Sequence, residues 1–318
     1  MRMRSYRIGD RDRLLAMHVP DGMLSGSVCP VTAAMAGAGL LAAGWAAVRS
    51  PRRPGAAQFG AVAAMVFAGQ MANFPISGGT SGHLLGGVLA AALLGAPWGV
   101  LAIALVVAVQ ALVFADGGLL VLGANVLNMA VIGAGLGGWL AERLRRAMPE
   151  QASCAVAAWA SVVAASAAVA IELAADGRAA LGPVFAAMVG THALIGVGEA
   201  AITVVAVATL PSLARRQGRS LAGVALAAAL LAVVLLAPIA STLPDGLEAV
   251  AGALRIAHQG APTFVTPLAD YSVRGMAEGP LATVLAGLAG VAASFGAGWV
   301  VAKGLTRGSA ATGSAPSA

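Results

Sequence analysis

Charged residues are scarce in this chain, making up 10% of its 318 residues against roughly 25% in an ordinary soluble domain. Hydrophobic residues make up 59%. Apolar runs of about 18 or more residues recur between short polar breaks, which is long enough to cross a hydrocarbon core of roughly 30 Å. The runs are continuous and rich in Ala, Gly and Leu, which favours helices. The composition therefore predicts a helical protein embedded in a lipid bilayer.

Other absences narrow the function classes. The two cysteines, Cys29 and Cys154, stand far apart and have no spacing typical of metal ligands. No GxxxxGK[ST] motif occurs, so the chain does not hydrolyse ATP through a P-loop. A nucleophile elbow and paired catalytic carboxylates are missing as well, which argues against an enzyme or a bound cofactor. The net charge of +6 comes from basic residues scattered in short loops without an aromatic platform, which argues against nucleic acid as a partner.

The hydropathy pattern predicts an all-α fold, a polytopic transmembrane bundle with about nine spans. The third predicted span is too short to cross alone, so a broken or partly re-entrant element is expected there, with its backbone facing protein. The predicted spans cover residues 30–48, 56–73, 83–95, 98–115, 121–141, 153–173, 182–210, 221–239 and 280–302.

Basic clusters indicate the orientation, because loops rich in Lys and Arg stay on the cytoplasmic side. Counting spans between the clusters places the start of the core outside and its end in the cytoplasm, in a multi-pass protein of the cytoplasmic (inner) membrane. The clusters lie at Arg49, Arg52 and Arg53, at Arg143, Arg145 and Arg146, at Arg215, Arg216 and Arg219, and at Lys303 and Arg307.

The first sixteen residues conflict with this topology. They hold five arginines on the side that should carry the fewest, and no apolar stretch follows that would make them a signal peptide. The asymmetry predicts that translation starts at Met17 and that residues 1–16 are not part of the mature chain. The alternative is a genuine cytoplasmic extension on a protein of different topology.

A start at Met17 would create a metal chelate. The free amine of Met17, the backbone nitrogen of His18 and the Nδ1 atom of His18 can bind one cation through a five-membered and a six-membered ring. His83, in the glycine-rich stretch 73–87, is the predicted fourth ligand on the same side of the membrane. Four nitrogens in a plane suit Ni(II) or Cu(II), with Co(II) also possible. A merely solvated loop histidine is the alternative for His83.

Other polar residues are candidates for supporting roles. His192 and Glu199 lie seven positions apart, close to two helical turns, and therefore share a helix face. Ionisable residues inside a span tend to face a polar cavity or each other, so a role around the cation or along its path is predicted, against a purely structural hydrogen bond. Asn73 and Ser81 can hold the loop that carries His83 by hydrogen bonding.

Four stretches together resemble the CbiM/NikM family, the substrate-binding S components of energy-coupling-factor cobalt and nickel transporters, which are a kind of ABC transporter. The remainder of the chain resembles the family's small N partner, fused here to the same chain, with its PDGLE loop outside. The four stretches are MHVPDGMLS (17–25), NFPISGGTSGHLLGGVLAAALLG (73–95), DGGLLVLGANVLNMAVIG (116–133) and THALIGVGEA (191–200), and PDGLEAV (244–250) and PLADYSVRGM (267–276) carry the second resemblance.

The resemblance implies a function and partners. Met17, His18 and His83 would hold the transported Co²⁺ or Ni²⁺, and a transmembrane coupling (T) subunit and two cytoplasmic ATPases (A subunits) would drive uptake. The implied division is an S component over 17–210, a cytoplasmic linker over 211–220, the N-type module over 221–307 and a disordered tail over 308–318. The alternative is a membrane metal sensor or accessory protein that binds the cation without moving it.

Overall fold

A computed structural model describes residues 18–256, 266–277 and 279–311 of the chain, without the side chains of residues 307–311. Met17 and the head that precedes it therefore lie outside the described residues. The helices are α1 (Val28–Arg49), α2 (Ala56–Gln70), α3 (Gly87–Leu94), α4 (Ala96–Phe114), α5 (Leu122–Leu144), α6 (Glu150–Ala175), α7 (Leu181–Arg216), α8 (Leu221–Ile239), α9 (Gly246–Ala253) and α10 (Pro280–Ala311).

The prediction of an all-α, membrane-spanning fold is confirmed. Within the described residues, seven helices are long and apolar enough to cross a membrane, namely α1, α4, α5, α6, α7, α8 and α10. The other two predicted spans are shorter, with 15 residues in α2 and eight in α3. The count of nine spans and the orientation of the ends remain predictions.

Helix α2 lies in the centre of the bundle. Eleven of its 15 residues are buried, and small residues of α10 let the two helices approach closely. A Cβ atom on Gly298 would lie 2.9 Å from the Cα of Gly60, and one on Gly290 would lie 2.0 Å from the ring of Phe67. In lipid such close packing replaces the hydrophobic drive. Helix α10, in the C-terminal part of the chain, is therefore built into the core of the N-terminal part.

A small antiparallel hairpin interrupts the helical pattern before His83. Strand β1 (Phe74–Ile76) pairs with β2 (Thr80–Gly82), and Phe74 lies opposite Gly82. The turn contains Gly78 at φ +85° and Gly79 at φ +74°, a backbone conformation that L side chains seldom adopt. The sequence prediction missed these strands, although two adjacent glycines between short β-prone stretches are a hairpin signal.

The outer surface of the helices is apolar. Leu41 of α1 is 77% exposed and Val205 of α7 is 61% exposed, as expected of side chains that face lipid. Three basic residues lie over tryptophan rings at helix ends: Arg49 over Trp45, Arg143 over Trp139 and Lys303 over Trp299, at 4.1, 5.3 and 4.0 Å. Tryptophan and basic residues are typical of the membrane–water interface. The basic residue of each pair belongs to one of the basic clusters for which the sequence predicts a cytoplasmic position.

The two parts of the chain meet at a short turn. Helix α7 continues to Arg216, so residues 211–216 of the predicted linker are helical and the non-helical stretch is 217–220. Ser220 caps α8, because its side chain accepts a hydrogen bond from the backbone of Gly223. At the other end, α10 continues to Ala311, beyond residue 307 where the sequence prediction ends the module.

Candidate cation-binding site

His18 is buried at the start of the described chain. It is 3% exposed, and its Nδ1 lies 3.1 Å from Oδ1 of Asp116. A carboxylate only accepts hydrogen bonds, so Nδ1 carries the hydrogen in this contact. The other ring nitrogen, Nε2, is buried and has no hydrogen-bond partner among the described residues. A buried imidazole with one nitrogen on a carboxylate and the other unpartnered is poised to bind something else.

The segment that carries His18 is docked by backbone hydrogen bonds. The Val19 N–H donates to Oδ1 of Asn125 over 3.0 Å, and Nδ2 of Asn125 donates to the Val19 carbonyl over 3.0 Å. The Gly118 N–H also donates to the Val19 carbonyl, and the Leu120 N–H donates to Oδ1 of Asp21. Asn125 and the loop before α5 therefore hold the segment in a single register.

Two glycines make room for this docking. A Cβ atom on Gly117, which has φ +81°, would lie 2.9 Å from Cβ of His18. A Cβ atom on Gly118 would lie 2.0 Å from Oδ1 of Asp21. No side chain fits at either position without displacing the segment, which explains the Asp-Gly-Gly sequence at 116–118.

His83 follows strand β2 and faces His18. The ring centroids of the two histidines are 5.9 Å apart, with planes tilted by 48°. Nδ1 of His83 lies 3.1 Å from the Leu84 carbonyl oxygen, which only accepts, so this nitrogen carries the hydrogen in that bond. The sequence separates the two imidazoles by 65 positions, and the hairpin brings them to one cavity.

Glu199 fixes the backbone that follows His83. The Leu85 N–H donates to Oε2 of Glu199 over 2.6 Å, and the Gly86 N–H donates to Oε1 over 2.8 Å. Gly86 adopts φ +74° and starts α3, so its N–H points away from that helix. The carboxylate is fully buried. Glu199, on the long helix α7, thus anchors the loop that presents His83.

Replacing Glu199 with glutamine is expected to lower stability by about 1–3 kcal/mol, the cost of one unsatisfied buried polar group. Glutamine has nearly the same shape, but its NH₂ group would face one of the two backbone donors. The check is the unfolding temperature of the detergent-solubilised protein.

Glu150→Gln is the matched control. Glu150 is half-exposed and pairs with Arg145 at 2.7 Å, an arrangement worth about 0–1 kcal/mol. Equal unfolding temperatures for the two variants would show that Glu199 does not anchor the loop.

A cavity of about 80 Å³ lies between these elements, lined by His18, His83, His192 and Asp245 together with apolar residues. His192 directs Nδ1 to the Met188 carbonyl oxygen at 2.8 Å. A Cβ atom on Gly246 would lie 2.8 Å from Cε1 of His192, so only glycine lets the C-terminal part approach this closely.

The cavity also borders Asn128 of α5. Asn128 lies in a π-helical stretch over Val126–Leu136, and this form of helix is frequent at functional sites.

The C-terminal part of the chain closes one side of the cavity. The Ser81 N–H donates to the Pro244 carbonyl over 2.8 Å, and Oγ of Ser81 donates to the Leu243 carbonyl over 2.8 Å. The next residue, Asp245, caps α9 through a capping box with Glu248. Burial raises the pKa of the Asp245 carboxyl to about 6, although backbone N–H groups of Glu248 and Leu247 oppose the shift. The turn formed by residues 244–246, the PDG turn, therefore lies directly against β2.

Asp116 connects His18 with a residue of the C-terminal part of the chain. Its Oδ1 contacts His18, and its Oδ2 accepts a hydrogen bond of 2.6 Å from the hydroxyl of Tyr271. Burial alone would raise the pKa of the Asp116 carboxyl, but the His18 ring and the Tyr271 hydroxyl outweigh burial and lower the pKa below its ordinary value. The group is therefore a buried, ionised carboxylate beside the candidate ligands.

The structure brings some of the predicted residues together and separates others. His18, His83 and His192 line one cavity, and Glu199 supports it through the backbone. Ser81 bonds the PDG turn, whereas Asn73 lines a different cavity of about 280 Å³ with Asp270 and Tyr271. Met17 lies outside the described residues. Among the described residues, no three His, Cys, Asp or Glu side chains are grouped to hold a metal ion by themselves.

Sequence reasoning missed several residues of the site. The sequence prediction gives Asp116 no role, although Asp-Gly-Gly between two predicted spans is a usable signal. Asn125 and Tyr271 lie in stretches that carry the family resemblance but have no predicted role at the site, and Asp245 lies in the PDGLE loop that the resemblance places outside. The contact of Asn125 with Val19 spans 106 positions and that of Tyr271 with Asp116 spans 155, so no local pattern reveals them.

Two family models match this chain. CbiM, described as the cobalt uptake substrate-specific transmembrane region, matches residues 18–217, and the PDGLE domain matches residues 219–307. The boundary between them falls in the turn between α7 and α8.

Curated relatives and solved structures agree with these matches. A putative fused nickel transport protein NikMN of Archaeoglobus fulgidus is 34% identical over 297 residues, which cover 90% of this chain and 98% of that protein. A fused nickel transport protein NikMN of Rhodobacter capsulatus is 43% identical over 122 residues, covering 37% of this chain and 34% of that protein. The crystal structure of a truncated transition metal transporter aligns with a TM-score of 0.54 at 30% identity, covering 64% of this chain and 100% of that one. A second crystal structure, of a transition metal transporter, aligns with a TM-score of 0.56 at 31% identity, covering 62% of this chain and 94% of that one.

Proposed function

Because the chain belongs to the CbiM family of cobalt uptake proteins and carries a C-terminal PDGLE domain, we propose that it captures Co²⁺ or Ni²⁺ for high-affinity uptake. It is a multi-pass membrane protein, and the proposed role is that of the substrate-capturing permease subunit of an energy-coupling-factor ABC transporter. Names of its relatives mention nickel and its family model mentions cobalt, and both cations are substrates under the proposal.

One observation carries this proposal. Two imidazoles from distant parts of the chain face each other at 5.9 Å across a small buried cavity. Imidazole nitrogens are good ligands for nickel and cobalt. Nε2 of His18 has no partner among the described residues, so it can carry the ring hydrogen when the other nitrogen of the ring takes the cation.

The proposed ligand set is the amine of Met17, the backbone nitrogen and Nδ1 of His18, and the imidazole of His83. It requires translation to start at Met17, a start supported by the five arginines that residues 1–16 would otherwise place on the outer side. In the described structure Nδ1 of His18 is engaged by Asp116. Loading through the chelate therefore includes a rotation of the His18 ring away from that carboxylate.

ATP hydrolysis is assigned to partner subunits under this proposal. The sequence contains no P-loop, so a transmembrane coupling subunit and two cytoplasmic ATPases would supply the energy. The apolar outer faces of α1 and α7 leave room for lipid and for a coupling subunit alike.

The test is uptake of radioactive nickel and cobalt by cells that lack their own uptake system. Cells that express this chain with the coupling subunit and ATPases of its host are expected to accumulate the cation severalfold above cells whose ATPase carries a disabled P-loop lysine. Equal accumulation in both would overturn transport and favour a binding protein that does not move its cation.

A further inference from the structure

Tyr271 joins the C-terminal module to the candidate cation site. It belongs to the part of the chain matched by the PDGLE domain, yet its hydroxyl lies 2.6 Å from Oδ2 of Asp116, 155 positions earlier in the sequence. Asp116 in turn contacts His18. A residue of one module therefore touches, through a single carboxylate, a candidate ligand in the other.

The direction of the hydroxyl hydrogen follows from its neighbours. Nε2 of Gln110 donates a hydrogen bond of 3.2 Å to the Tyr271 oxygen. A tyrosine hydroxyl has one hydrogen to give, and with an amide donor on the oxygen that hydrogen points to the carboxylate. The bond to Asp116 is thus a charge-assisted one, of the stronger kind.

The placement of Tyr271 is fixed by its surroundings. The ring stacks on Phe114 with centroids 4.8 Å apart and an interplanar angle of 17°, and the residue is 7% exposed. Asp270 and Tyr271 both have φ +53°, a left-handed conformation that is uncommon for residues other than glycine. Two such residues in succession persist only where packing holds them.

His18 cannot use one nitrogen for two partners. A cation needs the lone pair of Nδ1, whereas Asp116 accepts a hydrogen bond from the hydrogen on the same atom. Chelation through Nδ1 therefore moves that hydrogen to Nε2, which gives the other neutral tautomer, and separates the ring from Asp116. Asp116 is 2% exposed, and a buried carboxylate that loses a donor depends on the donors that remain. The Tyr271 hydroxyl bonds the other oxygen, Oδ2, and can stay in place while the ring turns.

Resting on the proposed function and its chelate, we propose that Tyr271 is a positioning residue for cation loading. It keeps Asp116 hydrogen-bonded when His18 turns to the cation, and so links the C-terminal module to cation affinity.

The experiment measures nickel affinity by titration calorimetry on the detergent-solubilised full chain, isolated as its host produces it, for the wild type and for Tyr271→Phe. Phenylalanine keeps the stacking on Phe114 and removes only the hydroxyl. Affinity is expected to fall about 10- to 100-fold, because the loaded state then leaves an oxygen of a buried carboxylate without its donor.

Testing Tyr271→Phe in a protein that also carries Asp116→Asn separates a positioning role of Tyr271 from a general structural role. In Asp116→Asn no buried charge is left to pair when His18 turns, so adding Tyr271→Phe is expected to change affinity by no more than about twofold. The same large loss in both backgrounds would overturn the proposal, as would wild-type affinity in Tyr271→Phe alone.

Ser294→Ala is the matched control, because Ser294 belongs to the same module and its buried hydroxyl has no hydrogen-bond partner among the described residues. It is expected to bind nickel like the wild type.

His83→Ala separates failure of the proposed cation site from failure of the proposed role of Tyr271. If His83→Ala binds like the wild type, the proposed site itself fails, whereas loss of binding in His83→Ala together with normal binding in Tyr271→Phe overturns only the role of Tyr271.

Discussion

Replacing His18 or His83 with alanine is expected to abolish high-affinity nickel and cobalt binding while leaving the protein folded and inserted in the membrane. Each imidazole supplies a proposed ligand, whereas Glu199 anchors the backbone of the loop through two hydrogen bonds. The loss should exceed the roughly 10- to 100-fold cost of removing a ligand's outer partner. Titration calorimetry on the solubilised protein and cation uptake in cells both measure it.

His192→Ala is expected to lose less cation affinity than His18→Ala or His83→Ala. His192 lines the same cavity, but its Nδ1 is directed to a backbone carbonyl, so its loss is expected to stay within that 10- to 100-fold range. Size-exclusion profiles and unfolding temperatures show whether each variant is folded. Full affinity in both His18→Ala and His83→Ala would remove the two histidines from the ligand set.

The protein isolated from its host is expected to begin at Met17, and a chain that begins there is expected to bind nickel far more tightly than one that begins at Met1. A peptide bond before Met17 turns its amine into an amide, which lacks the basic lone pair of an amine. The five-membered chelate ring is then lost, and the square of four nitrogens that suits Ni(II) cannot form.

Intact-mass measurement of the native protein determines its first residue, and two recombinant chains, starting at Met17 and at Met1, are compared by titration. His18→Ala in each background serves as the control, because it removes the shared imidazole. If the two chains bind nickel equally, the amine is not a ligand and the site must be rebuilt around the imidazoles and a carboxylate such as Asp116.

The membrane-spanning architecture could be predicted because it depends on local chemistry. A run of apolar residues has to form a helix in lipid, since every backbone group must be satisfied internally. The predicted spans 98–115 and 153–173 accordingly lie within a few residues of α4 (96–114) and α6 (150–175). The short third span, expected to be broken, is the eight-residue α3.

The surroundings of the histidines could not be predicted in the same way. That His18 and His83 belong to one site is a prediction drawn from chelate chemistry and from family resemblance, and the structure places their rings 5.9 Å apart. The contact of His18 with Asp116 spans 98 positions and involves a loop without periodicity. Hydropathy does not distinguish Asp116, Asn125 and Tyr271 from other polar or aromatic residues, and only tertiary packing shows that they converge.

Glu199 illustrates a third case. A carboxylate inside a span predicts a polar partner but not which one. Its partners are two backbone N–H groups that the loop conformation at Gly86 exposes. Sequence patterns describe side chains, so a site built from backbone groups is the hardest kind to anticipate.

The four-residue turn between α7 and α8 determines how often the two parts of the chain are in contact. A short tether gives the joined parts an effective concentration in the millimolar range, whatever the expression level of the protein. The PDG turn is therefore nearly always present at strand β2, and Tyr271 at Asp116, without a search in the plane of the membrane. A chain severed between Gly218 and Arg219 would have to re-form these contacts as a bimolecular complex, whose occupancy would depend on how many copies of each half the membrane contains.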